Sequence, residues 1–175
     1  MISWLRLSPE RARELFDYDP ATGVLTWRRR ADSEKDAARL NSRYAGKVAG
    51  KLDRLGYLNV FADGRQHKAH RVVWLIVNGE MGDAQIDHIN CNRSDNRIEN
   101  LRLASRSQNI ANSRRHSDAS SGYKGVTWHP SGKWHARIKQ NGRSRSLGLF
   151  ADPAEAHAAY CAAASEMFGE FARFA

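Results

Sequence analysis

An acid and a base stand side by side at Asp87 and His88. Two amides follow: Asn100, twelve residues after His88, and Asn109, twenty-two after Asp87. A histidine with an ordinary pKa of about 6.5 accepts a proton near neutral pH. A carboxylate and an amide oxygen, completed by water and phosphate oxygens, make a hard oxygen shell that suits Mg²⁺ or Mn²⁺ better than zinc. A base and a cation flanking one phosphate are what phosphodiester hydrolysis demands, because water must be deprotonated and charge on the leaving oxygen neutralised. Singly, each residue has a plainer use. Asn100 suits a turn or cap, Asn109 a solvent-facing helix position, and Asn90, Asn92 and Asn96 the Asx turns of a polar loop. Asp95 and Glu99 are not expected as ligands, Cys91 is incidental, and His70, opening a core helix, reads as a packing or capping residue.

These side chains need strand, loop, strand and helix to meet. Ile86-Asp87-His88-Ile89 and Leu101-Arg102-Leu103 read as short strands around a turn-rich loop. Ser105-Arg106-Ser107-Gln108 is a capping box that starts a helix running toward Ser113. Upstream, His70 to Asn78 is dense in apolar residues and stops at Gly79, a buried helix. Tyr57 to Phe61, Asp63-Gly64 and Gln66 to Ala69 form a hairpin pattern. Ser8-Pro9-Glu10 opens a small helix with Ala12, Leu15 and Phe16 as its stripe, and Val24 to Trp27 is a strand. Residues Arg28 to Tyr44 show no firm period and read as a loop.

After Gly122 come three strand patterns, Tyr123 to Trp128, Trp134 to Gln140 and Arg143 to Leu149, with Asn141-Gly142 as a hairpin turn. Asp152-Pro153-Ala154-Glu155 then caps an alanine-rich helix that packs on the sheet. The 28 Lys+Arg exceed the 19 Asp+Glu, leaving a formal charge of +9. The excess is clustered: six basic residues and no acid lie between Lys124 and Arg145, four arginines and no acid between Arg102 and His116. Such clustering favours a polyanion, most simply nucleic acid, over a merely solubilising surface. Two remote cysteines exclude a disulfide framework and a four-thiolate zinc site and fit a reducing cytoplasm. No apolar run approaches the ~20 residues of a membrane span, and no signal peptide pattern opens the chain.

The wording HRVVW, IDHIN, DNRIENLRLAS and then Asn109 resembles the HNH nucleases, in their phage and homing-endonuclease branch, over about His70 to Asn112. The resemblance implies His88 as general base, Asp87 and Asn109 as holders of one divalent metal, Mg²⁺ or Mn²⁺, and Asn100 as the amide that orients His88. The family's last position is often histidine; Asn109 stands there as in a subgroup of homing nickases. The tail, with YKGVTWHPSGKWHARI, SLGLF, AEAHAAY and FGEFARF, resembles the Apetala-type, ethylene-response-factor DNA-binding domain, whose sheet enters the major groove. The matching positions are Lys124, Thr127, His129, Arg137, Lys139, Ser144 and Ser146. Arg143 and Arg145 are added as cations that contact phosphate. One of Trp128 and Trp134 reads as core beneath the sheet, with base contact by Trp128 the lesser reading, and His135 and His157 read as surface or packing residues.

The expected fold class is therefore α+β. It comprises a ββα-metal nuclease module with N-terminal hairpins over residues 1–116 (core about 70–113), a linker at 117–121, and a three-stranded antiparallel sheet packed on one helix over 122–175. The implied partner is double-stranded DNA, with no obligatory protein partner; a monomer would nick one strand, while a dimer could cut both. If phage-encoded, the protein would act in the bacterial cytoplasm. Two rival readings stay open: a non-catalytic DNA-binding regulator with a decayed site, and, less well supported by a protruding basic sheet, an RNA binder or RNase.

Overall fold

The computed structural model describes residues 7–114 and 121–174. The chain divides into two compact units, Met1–Leu103 and Ala104–Ala175. Of the expected linker at 117–121, residues 117–120 lie outside the described residues.

In the first unit, Ser8 caps α1 (Pro9–Leu15) by accepting the Arg11 N–H, and α1 buries Ala12 and Leu15. Phe16, expected on this helix, instead opens β1 (Phe16–Asp19), where the chain turns extended and pairs with β2 (Val24–Trp27). Its ring lies 4.4 Å from that of Trp27, its register partner. The span 28–44 is not all loop, because α2 covers Ala37–Tyr44. Its anchor is polar: Asn41 accepts the Arg30 N–H and donates to the Arg30 carbonyl, at 2.8 and 3.0 Å. Its apolar stripe, Ala37, Leu40 and Tyr44, is short and is interrupted by that amide, which hides the helical period.

A three-stranded antiparallel sheet follows, β3 (Lys51–Leu52), β4 (Leu58–Ala62) and β5 (Arg65–Lys68). The β4–β5 turn places Asp63 and Gly64 at φ 49° and 77°, as the Asp-Gly pair predicts. Helix α3 (Ala69–Asn78) buries Ala69, His70, Val72 and Val73 and ends at Gly79, whose N–H reaches the Leu75 carbonyl. Two short strands, β6 (Gln85–His88) and β7 (Leu101–Ala104), form a sheet of their own. The core draws on Leu15, Phe16, Leu25, Val60, Val72, Val73, Ile86 and Leu101, so β6 is pinned by Ile86 from beneath.

In the second unit, α4 (Arg106–Asn112) carries the predicted capping box: Ser105 accepts the Gln108 N–H and Gln108 returns the bond to the Ser105 N–H. The antiparallel sheet runs β10 (Arg143–Phe150), β9 (Lys133–Gln140), β8 (Val126–His129), covered by α5 (Pro153–Phe168). Gly125, at φ 76°, lies against the ring of Tyr160 on α5, where a Cβ has no room. Ala104 and Ala111 join Ile138, Tyr160, Phe168 and Phe171 in one core, so α4 is packed into this unit.

Candidate active site and basic sheet face

Asp87 and His88 end β6, and each is only 5% exposed. The strand exit is fixed by backbone bonds: Ile89 N–H to the Asn100 carbonyl and Cys91 N–H to the His88 carbonyl, both 2.9 Å. Asp87 Oδ2 accepts from Arg102 Nε at 3.0 Å, a pair in which both side chains are largely buried. An uncompensated carboxylate there would be costly, and the guanidinium supplies the opposite charge. His88 Nε2 lies 3.2 Å from Asn96 Oδ1. Burial pushes the His88 pKa below its ordinary value, while Asn96, Asp87 and Asp95 pull the other way. The balance favours the neutral imidazole that a general base requires.

His70 packs edge-on against His88, with ring centroids 4.9 Å apart, and Tyr57 lies 6.0 Å from His88. Lys68 Nζ and the Arg93 guanidinium both approach the Tyr57 ring, at 4.7 and 4.9 Å from its centroid, which puts two cations beside the site. Burial, and secondarily the neighbouring His88, push the pKa of His70 down from 6.5 to about 3. A folded His70 thus refuses the proton that an unfolded histidine takes near pH 6.5. Stability contributed by the neutral ring is complete above that value and is lost as pH falls toward 3, by about 1.4 kcal/mol per pH unit. Urea midpoints measured between pH 7.5 and 5.0 are expected to fall for the wild-type chain and to fall less for His70→Phe; parallel slopes would remove His70 as the cause.

Asn100 acts on the loop between the strands. Its Oδ1 accepts the Asn90 N–H at 3.0 Å and its Nδ2 donates to the Asp95 carbonyl at 2.8 Å. Asn90 and Asn92 make the expected Asx bonds, and Arg97 forks onto Asp95, holding that carboxyl well below the usual range. Asn96 departs from the expectation: it is 1% exposed, and its side chain faces His88. Its carbonyl receives the Tyr18 hydroxyl at 3.1 Å, and the Tyr18 oxygen accepts the Ile98 N–H at 2.8 Å. The β1–β2 hairpin thereby grips the segment that faces the histidine. Asp87, His88 and Asn100 lie in the first unit, whereas Asn109 sits mid-way along α4 in the second.

On the C-terminal sheet the register sorts the expected DNA contacts by face, because cross-strand partners point the same way. Ala136 and Ile138 are buried beneath the sheet. Lys133, His135, Arg137 and Lys139 therefore face outward, with Thr127 opposite His135, His129 opposite Lys133, Ser146 opposite Arg137 and Ser144 opposite Lys139. Arg143 and Arg145 pair with Gln140 and Ile138 and stand on the other face. Trp128, 55% exposed, shares that α5-facing side with Trp134, their rings 4.8 Å apart. His135 belongs to the outward face, where its Nε2 meets Ser146 Oγ at 2.8 Å.

Residues 67–111 match the family model for an HNH endonuclease, and residues 121–170 match that for an AP2 domain. The chain joins an HNH segment to an AP2 domain. An uncharacterized HNH endonuclease of Acanthamoeba polyphaga mimivirus is 32% identical over 123 residues, covering 69% of this chain and 63% of the relative. The chain thus spans just under two thirds of that relative's length. A solved structure of the HNH homing endonuclease I-HmuI, described as DNA binding and cleavage, is similar to 55% of this chain and 50% of its own, with 21% identity and a TM-score of 0.39.

In donor type alone, Asp87 and Asn109 are of the class that takes the divalent metal implied by the resemblance. Asp87 brings a carboxylate and Asn109 an amide oxygen, both hard ligands. Among the described residues no three His, Cys, Asp or Glu side chains gather as a metal cage. Mg²⁺ is commonly held by one or two carboxylates with water and substrate phosphate filling the rest. The sequence did not single out Tyr18, Tyr57, Arg93 or a site role for Asn96. Asn96 lay within the quoted DNRIEN wording, eight residues after His88, whereas Tyr18 lies 78 residues before Asn96 and left no sequence signal.

In the AP2 domain Lys124 is already engaged. Its ammonium donates to the carbonyls of Ala111 and Ser113, the last carbonyls of α4. Lys124→Met is therefore expected to destabilise the second unit by about 1–3 kcal/mol and to weaken DNA binding less than loss of an outward-facing cation. Thermal unfolding beside a binding titration checks this, and unchanged stability with lost affinity would return Lys124 to the DNA contacts.

Proposed function

We infer that the protein is a metal-dependent DNA endonuclease of the nicking type, in which the HNH segment hydrolyses a phosphodiester and the AP2 domain holds the duplex. The observation that supports this best is the pair Asp87–His88: an acid and a neutral imidazole, both buried at one strand end and each held by a dedicated partner, Arg102 and Asn96. Core packing alone has no use for adjacent buried titratable groups.

In this reading His88 takes a proton from the water that attacks phosphorus. Asp87 and Asn109 would hold the divalent ion, which when bound neutralises charge on the phosphate and the leaving 3′-oxygen. Cleavage leaves a 5′-phosphate and a 3′-hydroxyl. Arg93, beside Tyr57, supplies positive charge for the strand that enters, Lys68 there being paired with Asp53 at 2.6 Å, and Asn100 keeps the loop from Asn90 to Asp95 closed under the site. One such site per chain nicks one strand.

Purified protein incubated with supercoiled plasmid and Mg²⁺, Mn²⁺ or EDTA tests the reading. Open-circle product that needs metal and vanishes in Asp87→Ala is the expected result. A plasmid shifted in a gel but never cut, across metals and plasmid sequences, would favour a DNA-binding regulator instead. The sheet register adds a second test. Arg137→Ala, on the outward face, is expected to weaken duplex binding and to lower the slope of log affinity against log salt by about 0.9, as for one lost phosphate contact. Arg145→Ala, on the α5-facing side, has the smaller effect; the reverse order would mean that the other face meets DNA.

A further inference from the structure

Asn96 is built as a side-chain support rather than as loop filling. A loop-closing asparagine spends both ends of its amide on backbone, as Asn100 does with Asn90 and Asp95. Asn96 gives its oxygen to a buried histidine and leaves its Nδ2 buried with no hydrogen-bond partner. Its backbone is held from outside the loop by Tyr18 and by Gly23, which packs on the Asn96–Arg97 peptide with no room for a Cβ. Two residues of the β1–β2 hairpin thus hold the backbone that aims one amide oxygen at one imidazole nitrogen.

An amide oxygen only accepts hydrogen bonds, so the nitrogen facing it carries the hydrogen. In a neutral imidazole the lone pair then sits on the other nitrogen. We propose that Asn96 is the positioning residue of His88: it holds the ring as the Nε2–H tautomer, with Nδ1 as the nitrogen that takes the proton from water. This rests on the endonuclease reading only for what Nδ1 does, not for which nitrogen bears the hydrogen.

The two can be separated on the full-length chain labelled with ¹⁵N-histidine. Two-bond proton–nitrogen correlation spectra at pH 7.5 report which ring nitrogen is protonated, and the His88 signals are those absent from His88→Ala. The wild-type chain is expected to show protonated Nε2 and bare Nδ1. Asn96→Ala should give a mixture of tautomers, while Asn96→Asp, which keeps an acceptor oxygen, should restore the wild-type pattern. With Mg²⁺ and nicked-plasmid product as the readout, Asn96→Ala should lower kcat by about 10²-fold with KM and duplex affinity within about twofold, and Asn96→Asp should recover part of it. A wild-type His88 with Nδ1 protonated, or a tautomer unmoved by Asn96→Ala, overturns the proposal, and the wild-type spectrum decides this even if a variant does not fold. Should no plasmid be cut by any form, the endonuclease reading fails alone, because the spectra still decide the role of Asn96.

Discussion

His88→Ala is expected to slow strand cleavage by about 10³-fold or more while leaving duplex affinity within about threefold. Removing a positioned general base costs about 10²–10⁴ in rate, and no second imidazole stands ready: His70 is buried with its Nδ1 unpartnered and is pushed to a pKa of about 3. Affinity should survive because, in the proposed reading, the duplex is held by cations away from His88, on the outward face of the C-terminal sheet. Both quantities must be measured at one salt concentration, since phosphate contacts make affinity salt-dependent. The truncation leaves a small void against His70 and Asn96, so thermal unfolding should accompany the assay. A folded variant with normal turnover would take the base role away from His88.

Gly23→Ala should harm both stability and turnover from a position on the remote β1–β2 turn. Gly23 has φ 75°, and an added Cβ would lie 2.5 Å from the Arg97 nitrogen and 2.7 Å from the Asn96 carbonyl carbon. The obstacles are backbone atoms, so no side chain can swing aside. Gly64→Ala provides the control: it has φ 77° on another turn and meets nothing within 4 Å. The control should cost about 1 kcal/mol from left-handed strain alone, whereas Gly23→Ala should cost about 3 kcal/mol or more and lower Tm by about 10 °C or more. Cleavage should fall further than the lost stability explains, because the displaced peptide carries the side chain that faces His88. Equal Tm losses for the two variants would mean that the hairpin does not press on Asn96.

The elements legible in the sequence were those whose signal is local. The Ser105–Gln108 capping box, the Asp63-Gly64 turn, the stop at Gly79 and the Asp152-Pro153 helix start are each written within four residues, and each is present. The antiparallel three-stranded sheet with one covering helix was likewise readable from its turns. Helix α2 was missed because Asn41, a polar residue, is its anchor. Asn96 was misjudged because an asparagine in a polar loop looks alike whether it bonds its own backbone or a histidine eight residues back. Which face Arg143 and Arg145 occupy depended on pairing register, which composition does not carry. The adjacency of Asp87 and His88 was visible at once; their guards, Arg102 and Asn96, needed three dimensions.

Helix α4 bears on how the chain could be recombined. It is stitched to the C-terminal unit by Lys124 at its last carbonyls, by Ser107 Oγ against the Asn141 turn and by Ala111 in the shared core. A chimera that exchanges the reader at Ser121 would carry α4 over without the lysine, the turn and the core that seat it, however well the foreign domain bound its own target. The portable cassette begins near Ala104, so changing the target of such a protein by cut-and-paste means transplanting the helix along with the reader, and transplanting Asn109 with the helix.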